Sequence, residues 1–483
     1  MLISSAAEKH TDRTLSYPYR SELLLKNSLD TAQFCIDDID SFVHLEIQPH
    51  QASQLRENDR IKRLPGQPEA DFEQYGGYVT VDQVAGRALY YYFVETKTSQ
   101  KHSLPLLLWL NGGPGCSSFG YGAMQELGPF HVCSDGKTLY KNKFSWNNAA
   151  NVLFLESPAG VGFSYSNTTA DFTTGGDRRT TIDNYAFLLN WLERFPEYKR
   201  REFYISGESY IGHYGAMLAQ TILHNNRKAK TTLINLKGII IGNPSLEDEA
   251  DDRGMIEYLG NHAIISGETT AQILKHCDFP INIDKGSSYK CLEAQEELNT
   301  NIAGINPYNI YAPLCLNSNL TEKPKKTAGR DIDPCILSYV NAYLNRADVQ
   351  QALHANVTKL HYGWSGCSVV IKEWTDSPST VMPLIKDLLG SNLRVWIYSG
   401  DVDARIPFTT TNLCFEKMKL HPKSAYLPWY SGGQIGGYTQ EYEGNLRFAT
   451  VRGAGHQVPA YQPERALTLI RHFLAGKDLP TRD

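Results

Sequence analysis

Leu106-Leu107-Leu108-Trp109-Leu110 is a run with no polar face. A strand with one side in water alternates apolar and polar residues, because successive side chains point to opposite faces. A short apolar run without that alternation fits a strand covered on both sides, as in a parallel sheet between layers of helices. Val152 to Leu155, Phe203 to Ile205, Ile239 to Ile241, Val395 to Tyr398 and Phe448 to Val451 also read as strands, preceded by Tyr78 to Val81 and Ala88 to Val94. Helical spacing occupies Asp183 to Phe195, Gly215 to His224, Asp348 to His354 and Pro463 to Leu474. The recurring order of strand, turn, helix and strand predicts the α/β class, with a mostly parallel central sheet flanked by helices.

With 41% apolar and 11% aromatic residues among 483, the chain has material for a large core. Residues 1–63 are polar and weakly periodic and are expected to form an extension without an ordered core. The α/β core is expected in two parts, 64–243 and 383–483. Between them, over 244–382, the strand signal fades and Cys277, Cys291, Cys315, Cys335 and Cys367 accumulate, which predicts a disulfide-held cap inserted over the sheet. Its stretch 316–333, LNSNLTEKPKKTAGRDID, is polar, basic and turn-rich, so it is expected to be an exposed loop open to proteolytic nicking.

A net charge of −5 without long runs of either sign argues against nucleic acid or a membrane surface as partner. No stretch reaches the roughly 18 apolar residues of a spanning helix, so membrane insertion is not expected. The nine cysteines include no CxxC pair and no Cys/His metal spacing, so disulfides are expected rather than a metal, with at least one thiol left over. Sequons at Asn167, Asn319 and Asn356 lie in polar stretches and suit glycosylated surface loops. Together these features predict a secreted or vacuolar protein. Met1 to Thr14 lacks the apolar segment of a signal peptide, so the amino terminus is expected to be incomplete or rebuilt.

Ile205-Ser206-Gly207-Glu208-Ser209-Tyr210 places a serine just after a strand and just before a helix. Such a corner lifts a hydroxyl above the sheet and puts backbone N–H groups at the positive end of a helix. A GxS turn also serves purely structural ends, so the remaining chain matters. Asp403 follows the strand Val395 to Tyr398, and His456 follows Phe448 to Val451. Both lie past carboxyl ends of strands, where parallel sheets gather their sites, and Ser, Asp, His is the order used by α/β-hydrolases. Taken singly, Asp403 reads as a turn former and His456 as a loop histidine. After Leu106 to Leu110, Gly112, Gly113 and Gly115 let backbone N–H groups approach a ligand, although a plain turn would read the same way.

LPGQPE, YGGYVTVD, WLNGGPGCSS, ESPAGVGFSYS, GESY, IGNP, YSGDVDARIP, GGYTQ and GAGHQVP occur in that order between about Leu64 and Leu474. In these motifs the chain resembles the serine carboxypeptidases of α/β-hydrolase fold, and most of all the plant type. The resemblance implies Ser209 as nucleophile, His456 as base and then acid, and Asp403, rather than Asp401, as the residue orienting the imidazole. It implies oxyanion donors at the N–H groups of Gly113 and Tyr210, and a substrate-carboxylate site of Asn111, Glu126 and Glu208 with Trp109 nearby. If two carboxyls share that site, one proton is held between them and peptide binding is best at acidic pH. A purely structural reading of Glu208 is a helix amino-terminal acid facing the dipole.

The resemblance further implies disulfides Cys116–Cys367, Cys277–Cys291 and Cys315–Cys335, leaving Cys35, Cys133 and Cys414 without counterparts. It points to peptide or protein carboxyl termini as substrate, no cofactor, and a homodimer as a possible assembly. Hydrolysis of the last peptide bond is the leading expectation; acyl transfer from a sugar ester with the same triad, or a non-catalytic binding role, are the alternatives. In this chain Ile211 stands where the family carries Ala or Gly, and Gly215-Ala216 where a Pro is usual. A branched side chain behind the elbow is expected to cost roughly 1–3 kcal/mol unless a neighbour shrinks.

Overall fold

The computed structural model describes residues 24–25, 49–97, 99, 102–281, 288–326 and 333–481. Its centre is a 10-stranded sheet. In chain order the strands are β1 (Gln74–Asp82), β2 (Arg87–Val94), β3 (Leu106–Leu110), β4 (Asn151–Leu155), β5 (Phe203–Glu208), β6 (Leu236–Gly242), β7 (Arg394–Gly400), β8 (Leu427–Ser431), β9 (Gln434–Tyr442) and β10 (Leu446–Val451). They lie side by side as β8-β9-β10-β7-β6-β5-β3-β4-β2-β1. The run from β10 to β4 is parallel throughout, and antiparallel pairs close both edges.

The unalternating runs have the cause expected of them. Leu106, Leu108 and Leu110 enter one core, and Leu107 and Trp109 enter the other. Ile239 and Ile241 divide from Ile240 in the same way, as do Val395 and Ile397 from Trp396. The first core is closed by helices Asp177–Arg194, Ile211–Lys228 and Met382–Gly390, through side chains such as Trp191, Met217 and Ile385. The second is closed by the π-helical segment Ser118–Glu126 and by helices Ile336–Leu344 and Pro463–Ala475, through Phe119, Val340 and Ile470. The sequence reading contains no strand at β8 or β9. Their signal is Gly432-Gly433, whose φ values of 57° and 74° make the two-residue turn of a hairpin.

Helices Asp248–Asn261, Gly267–His276 and Tyr289–Ile302 of the insertion share a separate core, in which Ile256, Ile273 and Leu298 are buried. Cys277–Cys291 lies inside it, Cys315–Cys335 spans the 316–333 loop, and Cys116–Cys367 ties the far end of the insertion to the segment after β3. Cys133 and Cys414 are free and buried; Cys35 lies outside the described residues, as do 327–332 of the loop. The expectation that 1–63 lacks an ordered core is corrected for its end. Pro49–Asn58 is a helix, Ala52 and Ile61 are buried, and Arg56 pairs with Glu197 at 2.7 Å while lying over the Tyr75 and Phe195 rings. So few apolar residues carry that docking, with an arginine stem doing the rest, that no periodic stripe marks it.

Candidate active site

β5 runs three residues further than its apolar core suggests, to Glu208, and the helix Ile211–Lys228 begins three residues later. Ser209 sits between them with φ 67°, in the left-handed region that a side-chain-bearing residue rarely occupies. Its N–H donates to Gly242 O at 2.9 Å, and its carbonyl accepts from Gly212 N and Ser245 N at 3.1 and 3.2 Å, so the corner is held from three sides. Ser209 is partly exposed in an otherwise buried neighbourhood. The loop after β3 lies against it: a Cβ at Gly112 would come within 2.4 Å of Tyr210 N and 2.8 Å of Ser209 Cβ. Only a glycine lets that backbone approach. Gly113 follows with φ 116°.

The remaining groups arrive from neighbouring strand ends. Gly242 ends β6, and the next side chain, Asn243, donates through Nδ2 to Asp403 Oδ2 at 2.7 Å. Asp403 is fully buried and also accepts from Arg405 N at 2.7 Å and Ile406 N at 3.3 Å. Its Oδ2 lies 2.7 Å from His456 Nδ1. An Nδ1–H bound to a carboxylate leaves Nε2 as the basic nitrogen of that ring. His456 is further fixed by its N–H on Tyr308 O at 2.7 Å and by the Tyr308 ring 4.9 Å away. Asp401 accepts from Gly453 N instead, so Asp403 is the acid that orients the imidazole.

Beside the serine stands a carboxyl pair. Asn111 Nδ2 donates to both Glu126 Oε1 and Glu208 Oε1 at 3.0 Å. Trp109 Nε1 holds Asn111 Oδ1 at 2.7 Å, which fixes the amide with its donor toward the glutamates. Trp109 is fully buried with that N–H engaged, so its part in the cluster is to orient Asn111. Burial pushes the Glu126 carboxyl up to about 7, and burial together with the Glu126 charge raises that of Glu208 well above its ordinary value. Each Oε2 is buried without a hydrogen-bond donor, a lack that a proton shared between the two carboxyls would meet. Gln457, which sequence reasoning passed over although it follows His456, extends the cluster: it accepts from Gln125 at 2.8 Å and approaches Glu126 at 3.5 Å. Asn243 and Tyr308 were also unassigned; IGNP contains the first, and nothing local marks the second.

Ile211 is fully buried directly behind the elbow. A Cβ on Gly215 would lie 2.5 Å from Ile211 Cγ1, and one on Gly207 2.6 Å from Ile211 Cδ1. Glycines on both sides thus leave room for Ile211: Gly207 belongs to the GESY motif, and Gly215 is one of the residues standing where a proline is usual. Among the sequons, Asn167 and Asn319 are exposed, whereas Asn356 is half-buried, donating to Gln350 Oε1 at 2.9 Å and accepting from Leu360 N at 2.7 Å.

A family model described as serine carboxypeptidase matches residues 65–476. The chain is 58% identical over 427 residues to serine carboxypeptidase-like 40 of Arabidopsis thaliana, covering 88% of this chain and 84% of that one. It is 47% identical over 450 residues to serine carboxypeptidase 24 of the same plant, covering 89% and 94%. Among solved structures, a prohormone-processing carboxypeptidase, Kex1Δp of Saccharomyces cerevisiae, superposes with a TM-score of 0.71 over 87% of this chain and 96% of its own, a likeness of fold at 23% identity. The chain therefore belongs to the serine carboxypeptidase family.

Proposed function

We propose that the protein is a carboxypeptidase that removes the last residue of a peptide through an acyl-enzyme. The observation that carries this reading is the buried pair Glu126 and Glu208 on Asn111, with Glu208 directly before the serine. A pair sharing a proton offers an O–H donor and, with the Asn111 amide, suits a free carboxylate; an ordinary amide substrate has no use for it. Ser209 Oγ attacks the carbonyl carbon of the last peptide bond as His456 Nε2 takes the hydroxyl proton. The N–H groups of Gly113 and Tyr210 receive the oxyanion. Collapse breaks the C–N bond, and His456 returns the proton to the leaving amine. Water, deprotonated by His456, then releases the shortened peptide and restores Ser209.

The test is incubation with an N-blocked dipeptide at pH 4–6. Free carboxyl-terminal amino acid is the expected product, lost in Ser209→Ala. No release, with acyl transfer from a glucose ester to an alcohol instead, would overturn it. The cysteine pairs and the exposed sequons at Asn167 and Asn319 support a secretory or vacuolar route with glycosylation there, which digestion with an endoglycosidase tests by a mass shift.

A further inference from the structure

The side chain of Tyr210 is held at both its hydroxyl and its ring. Its hydroxyl donates to Asp177 Oδ2 at 3.2 Å and meets the Ser377 hydroxyl. Its ring stacks on His213 at 4.4 Å and 8°, and packs edge-on to Trp374. Asp177, the fully buried first residue of its helix, is the hub: Trp374 Nε1 donates to its Oδ1 at 3.1 Å, and His213 Nδ1 lies 3.5 Å from its Oδ2. No step of the proposed reaction uses these groups. A buried carboxylate is costly unless it is bonded to something that must stay in place.

The same segment reaches the other oxyanion donor. Near one end of 366–377, Ser117 N donates to Gly366 O at 2.7 Å, Ser368 N to Gly115 O at 2.8 Å, and Cys367 is bonded to Cys116. Near the other end, Asp177 N donates to Asp376 O at 3.0 Å, and Ser377 meets Tyr210. One strap thus holds the loop bearing Gly113 and the side chain of Tyr210, whose N–H groups must converge on one oxygen.

We infer that Asp177 and Ser377 are positioning residues, which act through the Tyr210 hydroxyl to hold the Tyr210 N–H in register with that of Gly113. The inference rests on the proposed acyl-enzyme chemistry but not on the choice of acyl acceptor. An N–H that receives charge only in the transition state raises kcat without tightening substrate binding. Loosening its side-chain anchor should therefore lower kcat and leave KM alone.

The experiment measures hydrolysis of a blocked amino-acid nitrophenyl ester, and inhibition by a peptide aldehyde whose serine adduct bears the oxyanion, for the full chain and for Tyr210→Phe, Ser377→Ala and Asp177→Asn. Tyr210→Phe and Ser377→Ala each remove one hydroxyl and leave Trp374 on Asp177, so they report even if Asp177→Asn fails to fold. The expected result is a kcat lower by about tenfold in both, KM within about twofold, and aldehyde affinity reduced by the same factor as kcat/KM. Unchanged kcat in both, or a higher KM with kcat intact, overturns the inference. Because the ester has no free carboxyl terminus and no peptide bond, a protein that hydrolyses it but releases no amino acid from a dipeptide contradicts the carboxypeptidase reading and leaves this one standing.

Discussion

Glu126 and Glu208 give recognition of a peptide carboxylate a pH dependence of definite sign. Burial raises the Glu126 carboxyl to about 7, and its partner holds its proton more tightly still, so the pair is neutral in acid and, as pH rises through about 7, keeps one proton but gains a negative charge that repels a substrate carboxylate. KM for a blocked dipeptide should rise by about tenfold per pH unit above that point, while KM for the matching ester, which lacks the free carboxylate, should stay flat. Parallel profiles for the two substrates would remove the pair from carboxylate binding. A second residue-scale expectation concerns Ile211. Gly→Ala inside a helix ordinarily gains up to about 1 kcal/mol, yet Gly215→Ala should cost roughly 1–3 kcal/mol, because the new Cβ meets Ile211 Cγ1 at 2.5 Å. In Ile211→Ala the same change should be neutral or stabilising, and denaturant midpoints for the four proteins of the cycle give the coupling directly. Ser209, Asp403 and His456 were legible because each follows a strand's end within a few residues. Tyr308 was not, because its contact with His456 joins a cap loop to a core loop and leaves no trace in the sequence around either.

The strands could be read where both faces are apolar, and their ends were read short where polar residues of the site begin. β5 continues through Gly207 and Glu208, whose composition signals a turn, because Leu110 and Gly242 pair with them on either side. β8 and β9 escaped because half of each faces solvent and glycines interrupt the pattern, although the Gly432-Gly433 turn was in view. At this scale the cap loop yields a prediction. Leu316 and its polar neighbours to Leu320 are exposed, and Cys315–Cys335 brackets them. Limited trypsin digestion should cut within 316–333 and leave a chain of unchanged mass on a non-reducing gel, separating into two pieces only after reduction. Separation without reductant would contradict both Cys315–Cys335 and Cys116–Cys367, which span the cut alike.

Across the whole molecule several buried acids respond to pH together. Burial pushes Glu126 and Glu156 up to about 7 and Asp183 up to about 6, from ordinary values of 4.5 and 3.8. Between the ordinary and the raised values the folded chain binds more protons than the unfolded one, so stability is fully present below about pH 4 on this account and falls as pH rises through 6–7. His131, lowered to about 4 by burial, works the opposite way between 4 and 6.5 and offsets one proton of the effect. The free energy of unfolding from urea titrations should therefore fall from pH 5 to pH 8, by a few kcal/mol in all, and fall less in Glu156→Gln. The account as a whole stands on Ser209, His456 and Asp403 acting as one unit, and covalent capture tests that most directly. Treatment with a fluorophosphonate at pH 6, followed by peptide mass mapping, should place a single adduct on Ser209 in the native protein and slow its formation by at least about a thousandfold in His456→Ala. An adduct elsewhere, or labelling of Ser209 at the same rate without the histidine, would contradict it.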